Sequence, residues 1–168
     1  DCHMTSRDYM VVDGRRDHSF RLPRPDLTVA TDSPNACNGC HTDQSAEWAA
    51  TAVESWFGEK PQDHFGFAFH AARSGALGAN ELLLGTIDDN TLPGIVKGTA
   101  LSELRPPFSQ ASARAVQSGL ANPDPYLRLG ALRALVGLSP ELQVQWAAPL
   151  LEDRLLSIRI EAARVLSP

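Results

Sequence analysis

Four sets of positions recur at intervals of 31 residues in the second half of this chain, and that spacing constrains the fold more than any other feature. Val96, Leu127 and Ile158 form one set, and Lys97, Arg128 and Arg159 the next. Ala100, Ala131 and Ala162 follow, then Leu104, Leu135 and Leu166. Four registers sharing one period over three copies mark an internal repeat in which each unit is one supersecondary element stacked on its neighbour. Within a unit the basic, small and leucine positions fall at helical spacing. Leu120 and Leu151, also 31 apart, are expected to close the second helix of successive units. Asn122-Pro123-Asp124-Pro125 and Leu138-Ser139-Pro140 read as turns, with Ser139 and Pro140 as N-cap and first residue of a helix near 140–152. The small residue at 100, 131 and 162 is expected to let helices approach closely. The repeated basic residue is expected either to bond carbonyls or acids of a neighbouring unit or to form a solvated stripe.

Over roughly residues 90–168 the chain resembles HEAT repeats of the short variety, whose first helix follows an Asp/Asn-Pro-x-x-Val/Leu/Ile-Arg-x-x-Ala pattern. A more degenerate unit is expected before it, with Phe65–Ser74 and Asn80–Ile87 as its helices. The resemblance implies a short α-solenoid of antiparallel helix pairs, which presents an elongated surface to protein partners.

The chemistry sits elsewhere. All three cysteines and all five histidines (His3, His18, His41, His64 and His70) lie within the first 70 residues. Cys37-Asn38-Gly39-Cys40-His41 reads C-x-x-C-H, the attachment pattern for c-type haem. Each thiol can form a thioether to one porphyrin vinyl group, and the adjacent histidine can supply the proximal iron ligand. A redox dithiol, half of a zinc site and a chance loop are the competing readings. Asp1-Cys2-His3 ends as such a motif ends, so the chain is expected to belong to a longer protein with at least two haems. Cys2 and His3 would then belong to the truncated motif. In a protein made without haem attachment, Cys2, Cys37, Cys40 and one histidine also make a Cys3His zinc set, and Cys37 and Cys40 can oxidise together.

Around the motif, residues 4–36 hold little periodicity. Tyr9-Met10-Val11-Val12 is expected to be an extended segment or a buried turn that Asp13-Gly14 breaks. Pro23 and Pro25 are expected to keep a helix from running through Leu22–Asp26. An irregular segment of this length calls for something to organise it, and a haem supplies a large apolar surface. After the motif, Ala46, Trp48, Ala49, Ala52, Val53, Trp56 and Phe57 predict a helix that ends at Gly58. Its Trp48, Val53 and Trp56 are candidates to flank a porphyrin, or else form a core stripe. The expected division is a haem-binding segment over 1–60 and helical repeats over 61–168, all-α throughout.

The segments Tyr9-Met10-Val11-Val12-Asp13, Arg15-Arg16-Asp17-His18-Ser19-Phe20-Arg21, Pro23-Arg24-Pro25-Asp26-Leu27 and Pro34-Asn35-Ala36-Cys37-Asn38-Gly39-Cys40-His41 together resemble bacterial multihaem cytochrome c proteins. In that family a haem domain is joined to helical repeats. The resemblance implies that His41 is a proximal ligand, that His18 is the distal ligand of one haem, and that His3 serves the haem of the truncated motif. His64 and His70 are rival distal ligands. Six positions apart, they would point in roughly opposite directions if both lay on one helix. Met4 and Met10 are further rivals. The resemblance also implies electron transfer to redox partner proteins and a periplasmic or extracytoplasmic location. A haem-free interaction scaffold is the alternative function.

Composition narrows the rest. Hydrophobic residues make up 43% of the chain, enough for a packed core, and the formal charge is −5, which argues against nucleic-acid binding. No apolar run approaches the length of a membrane span. No G-x-S-x-G and no recognisable Ser/His/Asp set point to a hydrolase, so no catalytic residue is assigned.

Overall fold

The computed structural model describes residues 4, 6–16, 22–59 and 63–167. The described residues are mostly helical, with one two-stranded antiparallel sheet. Two compact units divide between Phe67 and Ala68.

The first unit is more regular than its sequence suggests. Strands β1 (Ser6–Tyr9) and β2 (Asp13–Arg16) pair antiparallel, with Ser6 opposite Arg16 and Tyr9 opposite Asp13. Asp13-Gly14 therefore opens a strand instead of breaking one. Met10, Val11 and Val12 form the connecting turn and are exposed, so the buried-turn expectation fails. Alternation is weak in both strands because every described residue of the hairpin faces solvent on at least one side. Arg15 closes over the Tyr9 ring at 4.8 Å and pairs with Asp13 at 2.8 Å.

Proline also acts opposite to expectation at position 25. Pro25 sits in the first turn of α1 (Pro25–Thr31), where its missing N–H has no intrahelical partner to lose. Arg24 grips Asp26 through Nε and Nη2 at 2.6–3.0 Å, which places a fixed carboxylate in the helix's first turn. That contact holds the Asp26 carboxyl below its usual range. The helix ends at Asp32, in the left-handed region at φ 55°. Helix α2 (Ala46–Phe57) begins where Ser45 Oγ accepts the Trp48 N–H and ends at Gly58, φ 77°. It packs on α1 with Ala49 fully buried.

The remaining helices are α3 (Gly66–Arg73), α4 (Ala79–Asp88), α5 (Gly94–Glu103), α6 (Gln110–Leu120), α7 (Pro125–Ala134), α8 (Pro140–Ala147) and α9 (Leu156–Leu166). A 3₁₀ turn over Ala148–Glu152 extends α8. In the second unit α5 packs on α7 and α7 on α9, while α6 lies against α7 and α8 against α9. Leu83, Leu101, Leu104, Val116, Leu132, Leu135 and Ile158 fill its core.

Ala100, Ala131 and Ala162 are fully buried, yet the closest helix approach is made by other residues. A Cβ on Gly130 would lie 1.9 Å from the Gly98 carbonyl oxygen, and one on Gly98 would lie 2.2 Å from the Tyr126 carbonyl oxygen. Glycine is required at both positions because backbone, which cannot rotate away, occupies the space.

Two of the three residues of the basic register, Arg128 and Arg159, bond carbonyls. Arg128 is 7% exposed. Its Nη1 donates to the carbonyls of Asn122 (2.7 Å) and Pro123 (3.0 Å), and its Nη2 donates to Asp153 Oδ1 (3.2 Å). Its Nε lies 2.8 Å from Asp153 Oδ2. Arg159, one repeat on, donates from Nη1 to the Asp153 carbonyl at 2.8 Å. Both arginines thus reach back six positions to the turn before their own helix. Asn122 and Asp153 shape those turns in the same way, accepting the N–H of Asp124 (2.9 Å) and Leu155 (2.8 Å).

Candidate functional site

The Cys37–His41 loop forms a single helical turn. The Cys40 N–H donates to the Cys37 carbonyl at 3.1 Å, and the His41 N–H donates to the same oxygen at 2.9 Å. Three- and four-residue spacing on one turn brings Cys37, Cys40 and His41 to neighbouring directions. Cys37 is half-buried, while Cys40 and His41 are exposed.

Two asparagines that sequence reasoning did not single out build this turn. Asn35 Oδ1 accepts the N–H of Cys37 (2.9 Å) and of Asn38 (3.1 Å), an Asx turn that starts the helical coil at the first thiol. Asn35 Nδ2 donates to Thr28 Oγ1 on α1 (3.1 Å) and to Asn38 Oδ1 (2.8 Å). Asn38 Nδ2 donates to the carbonyls of His41 (3.3 Å) and Gln44 (2.7 Å). The side chains therefore tie the loop to α1 on one side and to the start of α2 on the other. Asparagine two positions before the first cysteine was the available signal, since Asx turns favour it.

Helix α2 presents an aromatic side chain to the motif. The His41 and Trp48 rings lie 4.9 Å apart at 48°. Trp48 is 41% exposed, and Trp56 and Phe57 are 69% and 70% exposed with rings 6.3 Å apart at right angles. These aromatics are not a core stripe. The helix buries Ala49 instead and leaves apolar surface uncovered on its outer side.

The other candidates fall apart from one another. Cys2, His3 and His18 lie outside the described residues. His64 precedes α3, and its Nδ1 accepts the Gly66 N–H at 3.0 Å while its ring stacks on Phe65 at 4.2 Å. His70 lies on α3, exposed, in the second unit. The two histidines are therefore not on one helix, and their six-residue spacing sets no helical direction between them. Met10 lies on the exposed hairpin turn, and the Met4 carbonyl accepts from Arg16 Nη1 at 3.2 Å.

Among the described residues no three His, Cys, Asp or Glu side chains gather as a metal site, and the zinc set read from the sequence depends on Cys2. Among the described residues no helix is long and apolar enough to cross a membrane. Comparison with protein-family models, with curated proteins and with solved structures returns no match.

Proposed function

We propose that this chain is part of a bacterial multihaem cytochrome c and transfers electrons through a haem held covalently by Cys37 and Cys40. The observation that carries the reading is the conformation of the motif. Five residues of the attachment pattern form one hydrogen-bonded turn, with Cys40 and His41 facing solvent. The residue types fit the group: two thiols for thioethers, an imidazole for the proximal iron position and an uncovered aromatic surface beside them. Bound haem supplies a one-electron couple whose potential follows from its axial ligands, burial and hydrogen bonds.

The chain's own residues do the positioning. Asn35 and Asn38 hold the turn so that both thiols stay at fixed spacing. The Trp48 ring limits the rotation of the His41 ring and leaves an apolar wall on that side. His18 is the ligand proposed for the distal position, with His64 and His70 as rivals; His3 and Cys2 serve a second haem. We read residues 61–168 as a HEAT-like α-solenoid of helix pairs, serving as a scaffold for protein partners. Thioether attachment takes place outside the bacterial cytoplasm, so the reading carries a periplasmic or extracytoplasmic location with it.

The test is the chain co-produced with a haem-attachment system and exported to the periplasm. Intact mass should rise by whole haem units, and a reduced-minus-oxidised spectrum should show low-spin haem c bands. Protein of unmodified mass without those bands refutes the reading, and one stoichiometric zinc by elemental analysis would replace it with the haem-free alternative.

A further inference from the structure

The C-terminal ends of α5, α7 and α9 together form a basic groove. A cavity of about 430 Å³ is lined there by Ser102, Glu103, Arg105, Arg133, Val136 and Arg164. The lining follows the repeat: Ser102, Arg133 and Arg164 are 31 apart, and so are Arg105 and Val136. Equivalent positions of successive helices therefore line one continuous edge.

The charge on this edge does not balance. Glu103 lies between two arginines, Arg73 at 3.1 Å and Arg105 at 3.5 Å. Glu161 likewise takes Arg133 at 3.5 Å and Arg164 through Nε and Nη2. Four arginines share two glutamates, leaving a surplus of two positive charges in a chain whose formal charge is −5. The glutamates are the covered partners, with side chains 17% and 10% exposed, whereas the arginine side chains are half or more exposed. Part of Arg105 is already engaged, because Nη1 donates to the carbonyls of Ser102 and Leu104 at the end of α5. Arg133 and Arg164 have no comparable carbonyl bonds among the described residues, so the surplus is concentrated on them. A guanidinium fixed at one edge by a covered carboxylate keeps its outer N–H groups in a preset plane, which suits bidentate capture of another carboxylate.

We infer that this groove docks an acidic polypeptide segment, with Arg133 and Arg164 binding its carboxylates and Val136 supplying an apolar floor. The inference deepens the scaffold part of the reading above, and it does not depend on haem. A nucleic-acid backbone fits less well, because the patch is small and the remainder of the chain is acidic.

The test uses the full chain without haem and a fluorescently labelled hexaglutamate peptide, followed by anisotropy at low and at 0.3 M salt. Saturable binding that weakens with salt is expected. Arg133→Gln with Arg164→Gln should weaken it by about tenfold, the combined effect of two partly exposed charge contacts. Val136→Glu removes no arginine, places a competing carboxylate in the groove and should abolish binding, which keeps the test decisive where the double variant unfolds. Arg114→Gln, an exposed cation on α6 outside the groove, should change nothing. Absence of saturable binding overturns the inference. So does an equal loss in Arg114→Gln, and so does stronger competition by a single-stranded oligonucleotide than by unlabelled peptide. None of these outcomes touches the haem reading, which rests on mass and spectrum.

Discussion

Removing the Arg128 guanidinium is the sharpest test of how the second unit is held together. Arg128 is almost fully buried between its own turn and Asp153, whose side chain is only 10% exposed. Arg128→Met keeps much of the apolar stem and deletes the charge. Two carbonyls, of Asn122 and Pro123, lose a donor, and Asp153 loses its closest cation. Breaking a buried ion pair from one side costs about 3–5 kcal/mol. Asp153 keeps the Leu155 N–H as a donor, which moves the expected loss to the lower end, about 3 kcal/mol. Asp153→Asn should cost less, about 1–2 kcal/mol, because an amide oxygen still accepts from Leu155 and Arg128 keeps both carbonyls. The Asp153 carboxyl lies below its usual range on balance. Burial pushes it up, and the Leu155 N–H and Arg128 more than offset that. A depressed carboxyl stabilises the fold above its unfolded value near about pH 4, and that contribution is lost as pH falls through the folded value. Urea unfolding of wild type, both single variants and the double variant at pH 7 gives the coupling energy, expected at about 1–2 kcal/mol. Repeating it near pH 3 should shrink the wild-type advantage over Asp153→Asn. An Arg128→Met protein within about 0.5 kcal/mol of wild type would refute the reasoning.

Two glycines should respond with opposite signs. Gly130→Ala drives a methyl into the Gly98 backbone and should destabilise by about 3 kcal/mol or more, whereas Gly85→Ala in α4, whose new Cβ would meet nothing within 4 Å beyond its own helix backbone, should stabilise by about 1 kcal/mol; thermal melts of both decide. In the first unit, Asn35→Ala removes two acceptor bonds from the Cys37 turn and should lower haem incorporation several-fold in the mass spectrum. Amide exchange at Cys37 and Asn38 should rise by about tenfold or more. Arg24→Gln frees the Asp26 carboxyl, whose lowering comes chiefly from the Arg24 hydrogen bond. The first unit should therefore be less stable than wild type above about pH 4, and the difference should vanish towards pH 2, monitored by tryptophan fluorescence of Trp48 and Trp56.

Helix positions in the second unit were legible because four registers share one spacing of 31 and keep their residue types. Ala100, Ala131 and Ala162 are buried in all three copies, and Leu104 and Leu135 in two. The Ser139-Pro140 and Gly58 boundaries were legible for a local reason, since each residue type fits few backbone positions. The first unit was harder to read. Its hairpin has no buried face and therefore no alternation, and Pro25, which in isolation reads as a helix barrier, is a first-turn residue. The motif was visible as residue types, but the hydrogen bonds that hold it come from Asn35 and Asn38, whose side chains act over two to seven positions and leave no periodic trace.

The glycines and the groove share one origin in the repeat, and that origin is a departure from it. Gly98 and Gly130 are 32 apart, so they occupy adjacent registers. Moved on by 31, the contacting pair becomes Leu129 and Glu161. Backbone contact of the kind α5 and α7 make at their glycines has no room for such side chains between α7 and α9, and that contact is accordingly the less extensive. The position that demands hydrogen in α7 thus holds a carboxylate in α9, buried at 8% exposure. A buried carboxylate requires cationic partners. Arg133 and Arg164, both in last helical turns where a positive charge also favours the helix dipole, supply them. The register that makes one junction tight therefore makes the next one charged. Gly130→Ala and Glu161→Gln probe equivalent positions and should fail differently: the first by loss of stability, the second by loss of the ordered arginine pair that lines the groove.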